Sequence, residues 1–443
     1  MLRPGLLPTF IFHYLRARHP AFASREALAR WQERHVRRHL RRVAARSRFY
    51  GEVARQIPVE RWREWPSMDK EKTLTYFDDI VTAPLTLDQA MREAQRGWEQ
   101  RDFSQELPGR LVVGLSSGTS GRTGIFLASE RERATWAGAV LGRALPRGLF
   151  SSGGQQRIAF FLRANSPLYE ATRSGRVRFE FFDLLAPWPE HFARLRAMRP
   201  TVLVAPPSAL RVVATAQEDG ELSLPVPERI ISVAEVLEST ERTIIERAFA
   251  QTVHQVYQAT EGFIAATCRH GVLHLNEDGL IVEKRWLDKP SGRFVPILTD
   301  LYRFTQPVVR YELNDVLIAR RTPCPCGSVF QALDSVEGRT DDLCDLWRPD
   351  GSRGQIFPDY LRLAVTTADA SVGDFFVRNP NPGELEISLH GLSGARPDPL
   401  AQERVSRRVQ AICAEAGFAA PTVRFVPPPP AVPGAKLRRV SRH

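Results

Sequence analysis

Three places in this chain carry residues suited to anion binding, metal ligation or catalysis. The first is a run of hydroxyls and glycines, Ser116-Ser117-Gly118-Thr119-Ser120-Gly121, followed by Gly124. Glycines three apart let the backbone turn until N–H groups and hydroxyls face an anion, so the run is either a phosphate cradle or a flexible turn. It lacks the Gly-Lys-Ser/Thr ending of a P-loop, and that mechanism is not expected. The second place joins Cys324-Pro325-Cys326-Gly327 to Cys268 and His274 upstream. Three thiolates and an imidazole suit tetrahedral Zn²⁺ in a structural role, with His270 competing with His274 for the fourth position. The third is Lys436, one of five lysines among 61 basic residues, placed just after Pro433-Gly434. A lysine so near the end is ordinarily a frayed surface charge. A compact ammonium can also stabilise charge that develops in a transition state, in a way a guanidinium does not.

The elements that must position these groups are legible in the apolar pattern. Strands are expected at 111–113, 158–162, 201–204 and 229–233, and helices at 130–145, 190–198 and 239–250. Strands that alternate with helices imply a mostly parallel sheet. Residues 280–320 read as antiparallel strands with a turn at Lys289-Pro290-Ser291-Gly292. Upstream, Trp31, Val36, Leu40 and Val43 recur at helical spacing and predict a helix over 26–56. Beyond Gly338 the pattern restarts: helix 358–367, strands 374–377 and 384–389, helix 399–416 and strand 422–426. That is enough for a small α+β domain. The expected architecture is therefore α/β: a large multi-sheet N-terminal domain over 1–338, opening with a helical segment of about 1–65, and a small mobile α+β domain over 339–443.

Taken in order, the motifs resemble the acyl-adenylate-forming superfamily, and within it the phenylacetate–CoA ligase-like branch. The loop at Ser116 looks like the superfamily's phosphate-binding signature. Arg30-Trp31-Gln32 through Ser47-Arg48-Phe49-Tyr50 is similar to the branch's N-terminal helix. Tyr257-Gln258-Ala259-Thr260-Glu261 resembles its aromatic-x-x-Thr-Glu motif, and Val309-Arg310-Tyr311-Glu312-Leu313-Asn314-Asp315 its Arg-Tyr segment ending in Asp. Gly338-Arg339-Thr340-Asp341-Asp342 is similar to the inter-domain hinge, and Gly434-Ala435-Lys436 to the segment bearing the C-terminal lysine. The resemblance implies ATP-dependent activation of an aryl or fatty acid to acyl-AMP, then transfer to a thiol. CoA is the default acceptor, and the phosphopantetheine of an acyl carrier protein is the alternative. It also implies roles. Ser116, Ser117, Gly118, Thr119, Ser120 and Gly121 would hold the β- and γ-phosphates, Glu261 would bind Mg²⁺, and Thr260 would meet the α-phosphate. Tyr257 would stack on adenine beside Ala234 and Glu235, Asp315 would accept the ribose hydroxyls, and Arg339 would contact ribose or phosphate. Asp341 would be the hinge and Lys436 the catalytic cation. Some members of the branch carry a metal at positions matching the cysteines. One departure stands out: Leu346-Trp347-Arg348-Pro349-Asp350-Gly351-Ser352 does not closely match the glycine-containing loop typical of the CoA ligases.

Composition fits these expectations. A length of 443 residues exceeds one ordinary core, and 43% hydrophobic with 25% charged residues is usual for a globular chain. The net charge of +11 is concentrated in the stretch 25–63, which reads as a solvated helix face; no aromatic-interleaved module supports nucleic-acid binding. Pro8 and the charges at Arg16, Arg18 and His19 argue against a signal peptide, so the first residues are expected to form a packed helix. No apolar run reaches the ~20 residues of a membrane span. Five widely spaced cysteines do not form a disulfide framework, which makes the cytoplasm the expected compartment. Cys344 and Cys413 read as ordinary buried thiols. The expected partners are a small carboxylic acid and CoA or a carrier protein, with room for a homodimer. Val204, Ala205, Pro206, Pro207, Phe161, Gly262 and Phe263 could line an acid pocket or belong to the core.

Overall fold

Side-chain caps decide where the first helices begin. After α1 (Leu7–Arg18), Ser24 accepts from the Ala27 amide to start α2 (Arg25–Ala44), and Ser47 accepts from the Tyr50 amide to start α3 (Arg48–Gln56). The single helix expected over 26–56 is thus two, because the Ser47 hydroxyl satisfies an amide of a new helix start. The computed structural model describes residues 3–20, 22–100, 102, 106–115, 124–152, 154–165, 169, 175–369, 371–391, 400–427 and 439–442, without the side chains of Trp98 and Asp341. The residues Ser116, Ser117, Gly118, Thr119, Ser120 and Gly121, and Lys436, lie outside the described residues. The chain forms two compact units. One is Met1–Leu313 with Leu317–Ser335; the other is Asn314–Val316 with Val336–His443.

In the first unit, α4 (Lys70–Thr75), α5 (Phe77–Ile80) and α6 (Leu87–Glu99) precede the antiparallel pair β1 (Val112–Leu115) and β2 (Ile125–Ala128), which flanks the glycine-rich run. α7 (Glu130–Ala144) follows at once, started by a capping box in which Ser129 and Glu132 bond reciprocally. Then β3 (Gln156–Leu162), β4 (Val177–Asp183), α8 (Trp188–Met198), β5 (Val202–Ala205), α9 (Pro207–Glu218), β6 (Arg229–Ser232), α10 (Ser239–Phe249) and β7 (Val253–Ala259) alternate as expected. These strands pair in parallel in the order β4-β3-β5-β6-β7.

Both faces of this parallel part are covered, which is why β5 is buried at every position. One core joins Phe161, Phe182, Leu195, Leu210 and Ile245. The other joins Phe10 and Tyr14 of α1 to Leu141 of α7 and to Val204 and Ile231 of the sheet. α1 and α7 approach so closely that a Cβ at Gly138 would lie 2.4 Å from the Phe10 carbonyl oxygen.

At β7 the sheet changes direction. β8 (Gly262–Thr267), β9 (Leu273–Leu275), β10 (Leu280–Asp288), β11 (Arg293–Asp300), β12 (Tyr311–Glu312), β13 (Asp315–Ala319) and β14 (Ala332–Arg339) extend it antiparallel, in the order β10-β11-β13-β14-β9-β8-β7, with β12 beside β11. One twelve-stranded sheet therefore carries the parallel and antiparallel parts.

The second unit is α+β. A hairpin, β15 (Cys344–Trp347) with β16 (Arg353–Ile356), precedes α11 (Pro358–Ala368), β17 (Val372–Arg378), β18 (Glu384–Gly391), α12 (Ala401–Glu415), β19 (Thr422–Phe425) and β20 (Val440–Ser441). The four-stranded sheet has the order β19-β18-β17-β20. Leu361, Leu385, Ile387, Val405 and Val409 form its core, where Cys344 and Cys413 are also buried. No helix among the described residues is long and apolar enough to cross a membrane.

Candidate functional site

The carboxyl ends of parallel strands, where strand order reverses, are where open α/β sheets hold ligands. Here β4 lies on one side of β3 and β5 on the other. Glu235, just past β6, accepts from the Ser208 hydroxyl at 2.7 Å at the start of α9, and from Arg163, just past β3, at 3.5 Å. Its neighbour Ala234 is held at φ +67°. A non-glycine residue in that region costs energy and persists only where its surroundings enforce it, often at functional sites. Arg310, in the Arg-Tyr segment, is a second such residue at φ +47°.

β7 and β8 form a hairpin whose two-residue turn is Thr260-Glu261, with Ala259 opposite Gly262 and a bulge between Tyr257 and Gln258. A bulge re-aims the side chains beside it. The Thr260 hydroxyl donates to the Glu261 carboxylate at 2.9 Å. Tyr311 bonds the same carboxylate, and burial first, then the charge and bond of Glu261, push the Tyr311 hydroxyl above its ordinary pKa. The Tyr311 segment is itself held on both flanks, since the Met68 amide donates to Arg310 O at 2.9 Å and the Glu312 amide to Met68 O at 2.7 Å. A carboxylate with two hydroxyls beside it offers hard oxygen donors of the kind Mg²⁺ takes.

What braces this turn comes from distant parts of the chain. Arg303 donates to Thr260 O at 3.0 Å and to Leu127 O of β2 at 3.1 Å. Gln306 accepts from the Leu127 amide at 2.8 Å and donates to Ile125 O at 3.1 Å. Buried Glu132 accepts from the Phe304 and Thr305 amides at 2.6 and 2.8 Å, and from the Thr305 hydroxyl at 2.6 Å. Burial alone would raise the Glu132 pKa, but Arg303, Ser129 and Thr305 together hold it below the usual carboxylate range. Asp300 accepts from the Tyr302 and Arg303 amides, and its burial pushes it up to about 6. Segment 300–306 thus locks the strand leaving the glycine-rich run to the Thr260 turn. The one local signal for any of this is the Ser129-x-x-Glu132 capping pattern, which was not among the expectations above.

Beside the turn stands an aromatic wall. Trp136 of α7 donates to Gln258 at 3.1 Å, and Tyr169 packs against Trp136 and Phe160 with centroids 5.7 and 4.8 Å apart. Phe161 points to the other face of the sheet, fully buried and stacked on Phe182 at 4.5 Å, and Ala205 shares that core. Those two residues are core, because alternate strand residues face opposite sides.

In the second unit, Asp315 and Arg339, at two strand ends, come within 3.5 Å, and the Thr340 amide donates to Asn314 O at 2.7 Å. The turn Thr340–Asp342 contains Asp341. Lys436 is undescribed, yet the chain is anchored on either side of it. The Val426 amide donates to Ile387 O at 3.0 Å, and after the lysine the Val377 amide donates to Arg439 O at 2.7 Å. Arg439 pairs with Asp374 at 2.8 Å, Arg442 pairs with Asp345, and Val440 is buried.

The sulfur cluster is the most sharply defined geometry. The donor atoms of Cys268, His274, Cys324 and Cys326 all lie within 4.8 Å of one another. Cys268 Sγ and Cys324 Sγ are 3.7 Å apart, and Cys326 Sγ is 3.4 Å from His274 Nε2. A tetrahedral ion with Zn–S of about 2.3 Å and Zn–N of about 2.0 Å needs edges of about 3.8 and 3.5 Å, so the spacing fits. His274 Nδ1 lies 3.2 Å from Phe330 O, an orientation that leaves Nε2 for a metal. The His270 and Ser328 amides each donate to a sulfur at 3.4 Å. Burial first, then the neighbouring sulfurs, push the Cys326 thiol up to about 11. His270 is exposed and its ring accepts from Arg269, which leaves His274 as the fourth ligand candidate.

No protein-family model matches the chain, and no curated protein matches its sequence. Solved structures do match its fold. A 2-hydroxyisobutyryl-CoA ligase bound to an acyl-AMP in the post-adenylation state superposes with a TM-score of 0.67 at 17% identity, covering 94% of this chain and 89% of that one. An anthranilate CoA ligase with anthranoyl-AMP gives 0.53 at 12% identity, over 75% and 67%. An amide bond synthetase from Marinactinospora thermotolerans gives 0.51 at 15%, over 74% and 67%. The chain has the fold of the acyl-adenylate-forming ligases.

Proposed function

We propose that this protein activates a carboxylic acid with ATP and passes the acyl group to a thiol. The acid's carboxylate oxygen attacks the α-phosphorus, pyrophosphate leaves, and acyl-AMP forms. A thiol then attacks the acyl carbon, releasing AMP and a proton. The observation that carries this reading is the Thr260-Glu261 turn. It is bonded to Tyr311 of a second motif segment and braced by Arg303 to β2, the strand that follows the glycine-rich run, so two motifs and that strand are tied together. Two anions must be brought together, and a site built this way supplies position and counter-charge.

In this reading Glu261 holds Mg²⁺, which neutralises phosphate charge, and Thr260 meets the α-phosphate. Tyr257, Ala234 and Glu235 bound the adenine. Asp315 and Arg339 serve the ribose, Asp341 is the hinge, and Lys436 is the cation for the adenylation transition state. The glycine-rich run holds the outer phosphates. Trp136 and Tyr169 favour an aryl or other flat apolar acid. The Cys268, His274, Cys324 and Cys326 set holds structural Zn²⁺, which ties β8 and β9 to the chain before β14.

The test is acid-dependent ATP–pyrophosphate exchange across aryl and fatty acids. Exchange is expected with at least one acid. Lys436→Ala is expected to abolish it with little loss of ATP affinity; no exchange with any acid, despite bound ATP, refutes the enzyme reading.

A further inference from the structure

The arginine-rich stretch found no place in the chemistry above, and the structure shows why it is not an ordinary helix surface. α2 turns Leu28, Val36, His39, Leu40 and Val43 inward. Arg30, Arg34 and Arg38 fall at i, i+4 and i+8 on the opposite face, all exposed. At 1.5 Å per residue they form a straight stripe of about 12 Å. Arg37 and Arg41 at its edges are neutralised by Glu33 and Glu60, whereas the three stripe arginines form no ion pair with a described carboxylate. The inner face of the same helix reaches the brace of the Thr260 turn, since buried His39 bonds the Arg303 backbone, and exposed Arg42 lies over the Phe304 ring at 5.5 Å.

We propose that this stripe docks the acidic helix of an acyl carrier protein, whose phosphopantetheine thiol is the acyl acceptor. The inference rests on the acid-activating reading above. Three exposed cations spaced one helical turn apart, of which only Arg30 has a described carboxylate (Glu26) acting on it, match carboxylates spaced likewise on a partner helix. A phosphate backbone fits worse: Glu26, Glu33 and Glu60 border the stripe and would face a continuous polyanion, and Trp31, between Arg30 and Arg34, is half-buried under Arg16. The chain's excess of positive charge steers an acidic partner and is screened by salt.

The experiment compares wild type with R30E/R34E/R38E and with the milder R30Q/R34Q/R38Q. Three rates are read: pyrophosphate exchange, acyl transfer to CoA, and acylation of a holo acyl carrier protein from a bacterial fatty-acid synthase. The reversed variant is expected to raise the KM for carrier about tenfold or more, the neutral variant less, with exchange and CoA transfer unchanged. Rising salt is expected to erase the difference. A carrier KM within twofold of wild type in both variants overturns the proposal, as does tight binding of a short DNA duplex without carrier acylation. If wild type gives no exchange with any acid, the acid-activating reading fails separately. Direct binding of fluorescent carrier to wild type and the reversed variant then still decides the surface.

Discussion

Replacing Arg303 with Met removes the guanidinium while keeping most of the apolar stem. Two charge-assisted bonds disappear, to Thr260 O and to Leu127 O. Bonds to charged groups are worth about 1.5–3 kcal/mol each, so the full loss is about 3–6 kcal/mol, and relaxation and water reduce it toward about 3. Buried Glu132 also loses the cation that offsets its desolvation, so its pKa is expected to rise. The consequence should divide between stability and chemistry. Thermal melts measure the first; kcat and KM for pyrophosphate exchange, measured where the variant is folded, measure the second. If half to all of about 3 kcal/mol is felt in the transition state, kcat/KM falls by about 10- to 150-fold. Arg303→Lys keeps the charge but cannot span both carbonyls as a fork, so partial recovery is expected. A lowered melting temperature with kcat/KM within twofold of wild type would mean that the arginine only stabilises the fold, and the brace argument would be wrong.

Three further outcomes follow from the geometry. Purified protein is expected to hold close to one zinc per chain, and Cys326→Ala to lose it along with stability; a tenth of an equivalent or less in wild type removes the closed metal site. Asp300→Asn keeps the acceptor for the Tyr302 and Arg303 amides while removing a charge that burial disfavours. Because the folded pKa of about 6 lies above the ordinary 3.8, wild type loses stability as pH rises from about 4 to about 6, by up to about 3 kcal/mol, and the variant should not. Denaturant midpoints at pH 4 and 7 read this, and an equal gap between the proteins at both values contradicts it. Finally, Asp345→Ala releases Arg442, and Asp374→Ala releases Arg439. Both are expected to lower exchange turnover several-fold by loosening the anchor that follows Lys436, with ATP affinity retained; unchanged turnover in the double variant removes that role.

Apolar spacing located many of the elements, because it is a property of neighbouring residues, but β4, α9 and the β15–β16 hairpin were not among those expected. The strand over 229–233 and the helix over 239–250 appear as Arg229–Ser232 and Ser239–Phe249. The same locality explains the error over 26–56, where one serine satisfies a new helix start inside an unbroken apolar repeat. Side of the sheet was not legible for β3 and β5, whose residues face a core on both sides. Phe161 could be assigned to the core only once Phe182 was seen against it.

The sequence by itself determined the fold class and the kind of chemistry to look for, since glycines, thiols and carboxylates announce themselves by type and order. Tertiary structure alone decided which of them meet. His274 rather than His270 joins the sulfurs because a β-strand fixes its direction while His270 sits exposed in a turn. Arg303 reaches Thr260 and Leu127 across 43 and 176 residues of chain, and Glu132 reaches Thr305 across 173. Such partners share no local pattern. They are selected by the cost of leaving a buried charge or carbonyl unsatisfied, which exists only after the chain has closed around them.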